Sequence, residues 1–266
     1  MPTIRATTLE IAYEEIGSGP PLVLLHGAST TGRATFAAQI PALAEGFRLL
    51  LPDARGHGRT IWDAADGFEA ASLVDDLEAF VDGLGLGTFH LIGYSMGAMT
   101  ALGFAVRAPE RLRTLVVVGI TAAREPRASV GRRLMDPERI TRDDPAWAAE
   151  MTLTIDAVQG PGAWQRLLPA IAADIEVQPL LTPGELRSIT APTLVAVGDR
   201  DPLVPVGQAW KLSRQIRDGR LFVAPDSGHD VLTRRPALAL EALRGFYRST
   251  ESIATARADA LPEDPR

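Results

Sequence analysis

The residues best suited to chemistry in this sequence form the pentapeptide Gly93-Tyr94-Ser95-Met96-Gly97. It follows a short apolar run and precedes a helical pattern, which predicts a sharp turn from a strand into a helix. The flanking glycines remove Cβ atoms that would collide with neighbouring backbone in such a turn. The Ser95 hydroxyl would then lie at a helix N-terminus, where the helix dipole favours developing negative charge. The pattern predicts a serine nucleophile, and the alternative is a serine that only caps the helix.

A serine nucleophile needs a base, and the chain has four histidines. When the serine lies on a turn of this kind, the acid and then the histidine follow it along the chain. Only His229 follows Ser95, so we expect His229 to be the base. His26 and His57 lie in turns after earlier strands, where the favoured role is to shape those turns by hydrogen bonds. His90 lies inside a predicted strand, and we interpret it as a packed or surface residue.

The acid is expected at the end of a strand between the serine and the histidine. Asp199 and Asp201 both qualify, because they follow the apolar run at 193–197. Asp201 is favoured because it directly precedes the turn at Pro202, whereas Asp199 is better suited to capping the loop or pairing with an arginine. The acid would hold the imidazole in the useful tautomer and stabilise the imidazolium.

Acyl transfer also requires N–H donors for the oxyanion. One expected donor is the backbone N–H of Met96, the residue after the nucleophile. The second is expected from the loop after an early strand, and we assign it to Ala28. Gly27 would let this loop approach the substrate closely. The further residues predicted to line the substrate pocket are Ser29, Tyr94, Trp147, Met151 and Leu203.

Short apolar runs alternate with helical patterns along most of the chain. After two short strands within the first 17 residues, the runs lie at 21–25, 47–51, 89–92, 115–118, 193–197 and 221–224. The helical patterns lie at 71–84, 98–107, 208–216 and 236–247. Continuous apolar runs are typical of strands buried on both faces of a parallel sheet. The alternation predicts an α/β fold with helices on both faces of a mostly parallel sheet.

Residues 123–190 break this rhythm, because helical patterns are interrupted by prolines and no buried strand is evident. We interpret them as a helical cap over the C-terminal edge of the sheet; the alternative is a small second domain without a role at the site. The core then comprises 1–122 and 191–250, and the polar tail 251–266 is expected to be flexible. Trp147 and Met151 are four residues apart on one predicted helical face, so they either line the pocket or pack the cap against the core.

The composition narrows the classes of function. The 266 residues carry a formal net charge of −6 and no cysteine. An acidic chain without a basic run is a poor nucleic-acid or membrane binder, and a chain without cysteine has no thiolate nucleophile. The N-terminus has no signal-peptide pattern, and no apolar run approaches the roughly 20 residues of a membrane span. We therefore expect a cytoplasmic protein that uses no metal or cofactor.

Five motifs occur together in order: HGAS (26–29), DARGHG (53–58), GYSMG (93–97), GDRDPLVP (198–205) and SGH (227–229). From about residue 20 to residue 247, outside the cap, the chain resembles the α/β-hydrolase superfamily. The similar branch contains small serine esterases, haloperoxidase-like proteins, enol-lactonases and meta-cleavage C–C hydrolases. The resemblance implies an eight-stranded, mostly parallel sheet with a cap after strand six. Ser95 argues against haloalkane dehalogenases and epoxide hydrolases, which use aspartate, and Tyr94 stands where many C–C hydrolases have asparagine.

Three functions follow from these residues. The leading hypothesis is a carboxylesterase-like hydrolase that cleaves small, moderately apolar esters or lactones through an acyl-enzyme. The second is hydrolysis of a C–C bond next to a ketone, with the cap and the pocket deciding between the two. The third is a ligand-sensing protein on a hydrolase scaffold. The expected partner is a small molecule, and the chain is expected to be a monomer or a homodimer.

Overall fold

A computed structural model describes residues 2–6 and 9–259, with side chains described as far as residue 250. The strands in this part of the chain are β1 (Thr3–Arg5), β2 (Glu10–Ile16), β3 (Pro21–Leu25), β4 (Arg48–Pro52), β5 (Phe89–Tyr94), β6 (Leu112–Val118), β7 (Thr193–Gly198) and β8 (Gly219–Ala224). They form one sheet in the order β1-β2-β4-β3-β5-β6-β7-β8. Strands β3 to β8 pair in parallel, while β2 pairs antiparallel with both β1 and β4. The predicted eight-stranded, mostly parallel sheet is confirmed.

Helices connect the strands and cover the sheet. They are α1 (Gly32–Thr35), α2 (Ile40–Leu43), α3 (Ala70–Gly83), α4 (Met96–Arg107), α5 (Arg127–Leu134), α6 (Pro137–Asp143), α7 (Pro145–Met151), α8 (Ala157–Gln159), α9 (Ala163–Val177), α10 (Pro183–Ser188), α11 (Val206–Gln215), α12 (Val231–Arg234) and α13 (Pro236–Asp259). A π-helical stretch, Thr152–Asp156, joins α7 to α8. Helix α13 extends beyond the predicted 236–247, and the last part of the predicted flexible tail, 260–266, lies outside the described residues. None of the described helices is long and apolar enough to cross a membrane.

Both faces of the sheet are buried, which explains why the strand sequences are apolar without alternation. In β3, Leu22 and Leu24 pack on one face together with Phe36 and with residues of α13. Val23 and Leu25 point to the opposite face, which is covered by α3, α4 and α11. Full burial of each such side chain contributes about 1.5–3 kcal/mol to folding. The central strands are therefore held rigidly, and the loops at their C-terminal ends are held with them.

Helices α5 to α10 lie between β6 and β7, as predicted for a cap after strand six. Several prolines that interrupt the sequence pattern are in fact helix starts. Pro137 and Pro145 take the first helical positions of α6 and α7, behind the capping carboxylates of Asp136 and Asp144. Proline is tolerated there because the first helical N–H has no partner within the helix. The cap helices form an apolar cluster together with Phe68 and Leu73 of the core, and Trp164 in this cluster is almost completely buried.

Arg124, which precedes α5, ties the start of this insertion to the end of α9. Its guanidinium donates to the carbonyl oxygens of Ile175 (3.0 Å), Glu176 and Gln178 (2.9 Å), at the C-terminal end of α9. A cation at a helix C-terminus satisfies carbonyl groups that have no partner within the helix. These hydrogen bonds therefore hold the first residues of the insertion against the end of its longest helix.

Candidate active site

Ser95 lies between β5 and α4 in a strained backbone conformation, with φ 53° and ψ −111°. The glycines around it are required by close backbone contacts. A Cβ on Gly93 would lie 2.3 Å from the carbonyl oxygen of Gly97, and a Cβ on Gly97 would lie 2.5 Å from that of Leu25. Strain of this kind persists only where the surrounding structure enforces it. The turn thus presents the Ser95 hydroxyl at the C-terminal edge of the sheet, as the sequence predicts.

Ser95, His229 and Asp201 form one line of hydrogen bonds. Ser95 Oγ lies 2.8 Å from His229 Nε2, and His229 Nδ1 lies 2.8 Å from Asp201 Oδ2. The Asp201 side chain is fully buried, and its Oδ1 accepts the N–H groups of Leu203 (2.8 Å) and Val204 (3.1 Å). A carboxylate held in this way keeps the imidazole proton on Nδ1. Nε2 is then free to accept the proton of the Ser95 hydroxyl.

The two candidate aspartates are separated by their surroundings. Asp199 is exposed, and its Oδ1 accepts the N–H of Ser227 at 3.0 Å. Backbone N–H groups of Ser227 and Asp226 lower the pKa of Asp199, because they stabilise its charged form. Asp199 therefore shapes the loop that precedes His229, while Asp201 contacts the imidazole itself.

Two backbone N–H groups are available beside Ser95. Those of Ala28 and Met96 make no hydrogen bond within the described residues, and both residues line the cleft that contains Ser95. The loop that carries Ala28 comes close because Gly27 has no side chain: a Cβ there would lie 2.9 Å from the Tyr94 ring. This loop is also tied to α4, because Gly97 N–H donates to the His26 carbonyl at 3.0 Å. Free N–H groups in this position can stabilise an oxyanion.

The three other histidines are not hydrogen-bonded to Ser95. His26 Nδ1 lies 2.7 Å from the Gly27 carbonyl oxygen, and His57 Nδ1 lies 3.0 Å from that of Arg55. Burial lowers the pKa of His26, and it lowers that of His57 to about 3. His90, whose pKa burial lowers to about 4, lies in β5 beside the Thr114 hydroxyl. These histidines are neutral parts of the framework at neutral pH.

The cleft above Ser95 is mostly apolar. Of the predicted pocket residues, Leu203 lines this cleft. Ser29, Tyr94 and Trp147 line a neighbouring, more polar pocket instead. Met151 is 1% exposed and belongs to the apolar cluster of the cap. Of the two roles weighed for Met151, the structure therefore places it in the packing of the cap.

Three polar side chains of the cleft were not identified from the sequence: Arg127, Asp174 and Gln178. They lie in the cap, where the sequence offers no motif and where burial depends on how the helices pack on the core. The segment 124–127 contains two arginines, and nothing in its sequence indicates that the guanidinium of Arg127 is buried. Within the described residues, no group of three or more His, Asp or Glu side chains could hold a metal ion.

The fold and this site match a known family. A family model described as the alpha/beta hydrolase fold matches residues 20–157, more than half of the chain, and the protein belongs to this family. The chain is 30% identical over 247 residues to a 2-hydroxy-6-oxo-6-phenylhexa-2,4-dienoate hydrolase from Comamonas testosteroni, covering 82% of this chain and 84% of the relative. The protein is therefore a hydrolase.

Two solved structures are similar over nearly the whole chain. A thermophilic esterase from Thermogutta terrifontis is 28% identical with a TM-score of 0.75, covering 93% of this chain and 98% of that one. Est816, described as an N-acyl homoserine lactone degrading enzyme, is 27% identical with a TM-score of 0.72, covering 92% and 100%. The chain is thus similar to proteins named as a dienoate hydrolase, an esterase and a lactone degrading enzyme.

Proposed function

We propose that the protein hydrolyses carboxylic esters or lactones of small, moderately apolar molecules through an acyl-enzyme on Ser95. The observation that carries this proposal is the line of hydrogen bonds from Ser95 Oγ through His229 to Asp201, each 2.8 Å long. The free N–H groups of Ala28 and Met96 support it, because they supply the oxyanion donors that acyl transfer requires.

In the first half of the reaction, Ser95 Oγ attacks the carbonyl carbon while His229 Nε2 takes the hydroxyl proton. The negative charge that develops on the carbonyl oxygen is held by the N–H groups of Ala28 and Met96; one such donor typically contributes about 2.7–4 kcal/mol. Asp201 stabilises the imidazolium that forms. His229 then gives its proton to the leaving oxygen, the C–O bond breaks, and the acyl group stays on Ser95.

In the second half, water attacks the acyl carbon and gives its proton to His229. Collapse of the second tetrahedral intermediate breaks the bond to Ser95 Oγ, which regains a proton from the imidazolium. The products are a carboxylic acid and an alcohol, or a hydroxy acid from a lactone. Each proton is taken up or released by His229 Nε2, and each oxyanion occupies the same two-donor site.

The cleft and the relatives support the proposed substrate class. A mostly apolar cleft with a few polar side chains suits a small molecule better than a polymer or a long triglyceride. The esterase from Thermogutta terrifontis and Est816, which is named for lactone degradation, support ester and lactone substrates.

The second candidate function is hydrolysis of a C–C bond next to a ketone. It is favoured by the 30% identical relative from Comamonas testosteroni, which is named as a dienoate hydrolase. The same serine and histidine would serve that reaction, but the leaving atom would be carbon. The two functions therefore differ in the substrates they accept rather than in the residues that act.

A substrate panel separates these functions. We expect turnover of p-nitrophenyl esters of short to medium acyl length and of lactones, in buffer containing EDTA, and labelling of Ser95 alone by an organophosphonate. Ser95→Ala should lower the rate by roughly 10⁴ or more. Weak ester turnover beside rapid cleavage of a vinylogous diketone would support the C–C hydrolase. Absence of both activities, with micromolar ligand binding, would support a ligand-sensing protein.

A further inference from the structure

The cleft above Ser95 contains a buried arginine that the proposed acyl transfer does not use. Arg127 begins α5, and its side chain lines the same cleft as Ser95 and His229. The residue is 6% exposed. Its Nε and Nη2 atoms are buried and have no hydrogen-bond partner within the described residues.

A buried guanidinium without a partner is costly, because it loses hydration and gains nothing in return. Burial lowers the pKa of Arg127 to about 10, so the group still carries its charge at neutral pH. Buried polar groups without partners are rare in native proteins, and each requires an explanation. A ligand that brings its own negative charge into the cleft provides one.

The neighbouring charged groups do not satisfy Arg127. Arg124 uses its guanidinium on carbonyl groups of α9, and its positive charge disfavours the charged form of Arg127. Asp174 lines the same cleft, but its Oδ1 accepts the N–H of Ala70 at 3.1 Å. The charge of Asp174 raises the pKa of Arg127, but Asp174 makes no hydrogen bond to Nε or Nη2 of that guanidinium.

The unpaired atoms identify the kind of anion. Nε and Nη2 together form one edge of the guanidinium, and this edge matches the two oxygens of a carboxylate. The protein already contains this pairing elsewhere: Arg55 donates from its Nε and Nη2 to the two carboxylate oxygens of Asp76, at 2.7 and 2.8 Å, and both side chains are buried. Arg127 presents the same edge without a carboxylate from the described chain.

We propose that Arg127 binds a carboxylate of the substrate, so that the enzyme prefers esters or lactones that carry a second, free carboxylate. This inference rests on the proposed function, because it assigns Ser95 to the reacting carbonyl and Arg127 to the other end of the same molecule. The apolar residues that line the same cleft, which include Met99 and Ile175, suit a short hydrocarbon spacer. Half-esters of dicarboxylic acids have this chemistry.

The first test needs only the unchanged protein. The kcat/KM values for the monomethyl and dimethyl esters of the acids from succinate to suberate are compared by the release of methanol. We expect the monomethyl ester to be preferred about tenfold or more at the best spacer length, since a hydrogen bond to a charged group contributes at least that factor. Preference for the dimethyl ester at every length would overturn the proposal.

The second test assigns the preference to Arg127. Arg127→Gln should lower the ratio of monomethyl to dimethyl kcat/KM about tenfold or more, and Arg127→Lys should keep part of it. Arg133→Gln, on the exposed side of the same helix, is the matched control and should leave the ratio unchanged. A thermal melt of each variant checks folding. If Arg127→Gln folds and loses activity on both esters equally, the role is structural and the proposal fails.

The third test separates this inference from the proposed function. In Ser95→Ala, calorimetry measures binding of the monomethyl and dimethyl esters without turnover. Tighter binding of the monomethyl ester, lost in Ser95→Ala/Arg127→Gln, supports the carboxylate site even if the unchanged protein hydrolyses neither ester. Ester hydrolysis without any preference in rate or in binding would leave the proposed function standing and remove the carboxylate site.

Discussion

His26 and His57 exchange hydrogen bonds between the two loops that carry them. Nε2 of His26 accepts the N–H of Ala54 at 3.0 Å, and Nε2 of His57 accepts the N–H of Ser29 at 3.2 Å. The two rings lie 5.0 Å apart between their centroids. Because Ala28 lies between the two residues of its loop that take part, this exchange fixes the direction of the Ala28 N–H beside Ser95.

This pair of neutral histidines predicts a pH-dependent stability. The pKa of His57 falls from 6.5 to about 3 on folding, because burial disfavours the imidazolium. Between these values the unfolded chain binds a proton that the folded chain does not, so the free energy of unfolding decreases as the pH falls. The expected slope from His57 is about 1.4 kcal/mol per pH unit. Urea unfolding at pH 7, 6 and 5 measures the slope.

His57→Gln should make this slope shallower by about the same amount, about 1.4 kcal/mol per pH unit. His90→Gln is the matched comparison, because the pKa of His90 falls to about 4. It should also reduce the slope, over a window that ends nearer pH 4. An unchanged slope in His57→Gln would show that His57 accepts a proton in the folded protein.

The two aspartates after β7 should differ sharply in activity. Asp201→Asn replaces a buried carboxylate that contacts His229 and favours the wrong tautomer of the imidazole, so kcat should fall by up to roughly 10⁴. Asp199→Asn changes an exposed side chain that caps the loop at Ser227, and kcat should change far less. Steady-state kinetics on a p-nitrophenyl ester compares the two. The reverse ranking would assign the acid role to Asp199.

Gly97, two residues after the nucleophile, should not accept a side chain. In Gly97→Ala, the new Cβ would lie 2.5 Å from the Leu25 carbonyl oxygen and 2.6 Å from that of His26. Overpacking of this kind typically costs about 1–3 kcal/mol or more, and it would displace the loop that carries Ala28. We expect a lower melting temperature together with a lower kcat.

The control for this substitution is Gly245→Ala in α13, where a Cβ would meet no atom within 4 Å. It should stabilise the protein by up to about 1 kcal/mol, because alanine has the higher helix propensity. Calorimetric melting of both variants provides the comparison. Equal melting temperatures would mean that the turn at Ser95 is less tightly packed than its backbone contacts indicate.

Substitution of Met151 should mainly lower stability, and substitution of Trp147 should mainly change substrate selectivity. Met151→Ala removes a side chain from the apolar cluster of the cap and should cost about 2–5 kcal/mol of unfolding free energy. Trp147 is only half-buried and faces the polar pocket beside Ser29 and Tyr94. Trp147→Ala should therefore change acyl-chain preference more than it changes stability. Urea unfolding and the ester panel measure the two effects; a larger stability loss in Trp147→Ala would contradict this assignment.

The strands of the core and the turn at Ser95 can be predicted from the sequence, because each depends on residues that lie close together along the chain. Strand β3 matches the apolar run at 21–25 residue for residue, and β5 and β7 begin where their runs begin. The turn at Ser95 follows from two glycines whose Cβ atoms would strike backbone. Asp201 could be ranked above Asp199 because Asp201 directly precedes the turn at Pro202.

The cap resists the same reasoning, because its side chains are placed by tertiary packing. Helical spacing puts Trp147 and Met151 on one side of α7, and both contact the apolar cluster of the cap. Met151 is fully buried in it, whereas Trp147 is only half-buried and also lines the polar pocket. The spacing gives a common direction but not the depth of burial. Arg127 is buried only because α5 and α9 pack over the cleft, and no pattern in the sequence around Arg127 predicts that contact.

The position of Arg124 has a consequence for how this enzyme could be diversified. Helices α5 to α9 follow β6, and the hydrogen bonds of Arg124 hold the residues just before α5 against the end of α9. The two ends of this five-helix segment therefore lie side by side, and the segment is a module attached at one place, with no strand in the sheet. Modules of this kind can be exchanged, shortened or randomised while the scaffold below keeps folding. A combinatorial library confined to this segment would test new substrate specificities without changing the serine, histidine and aspartate of the proposed reaction.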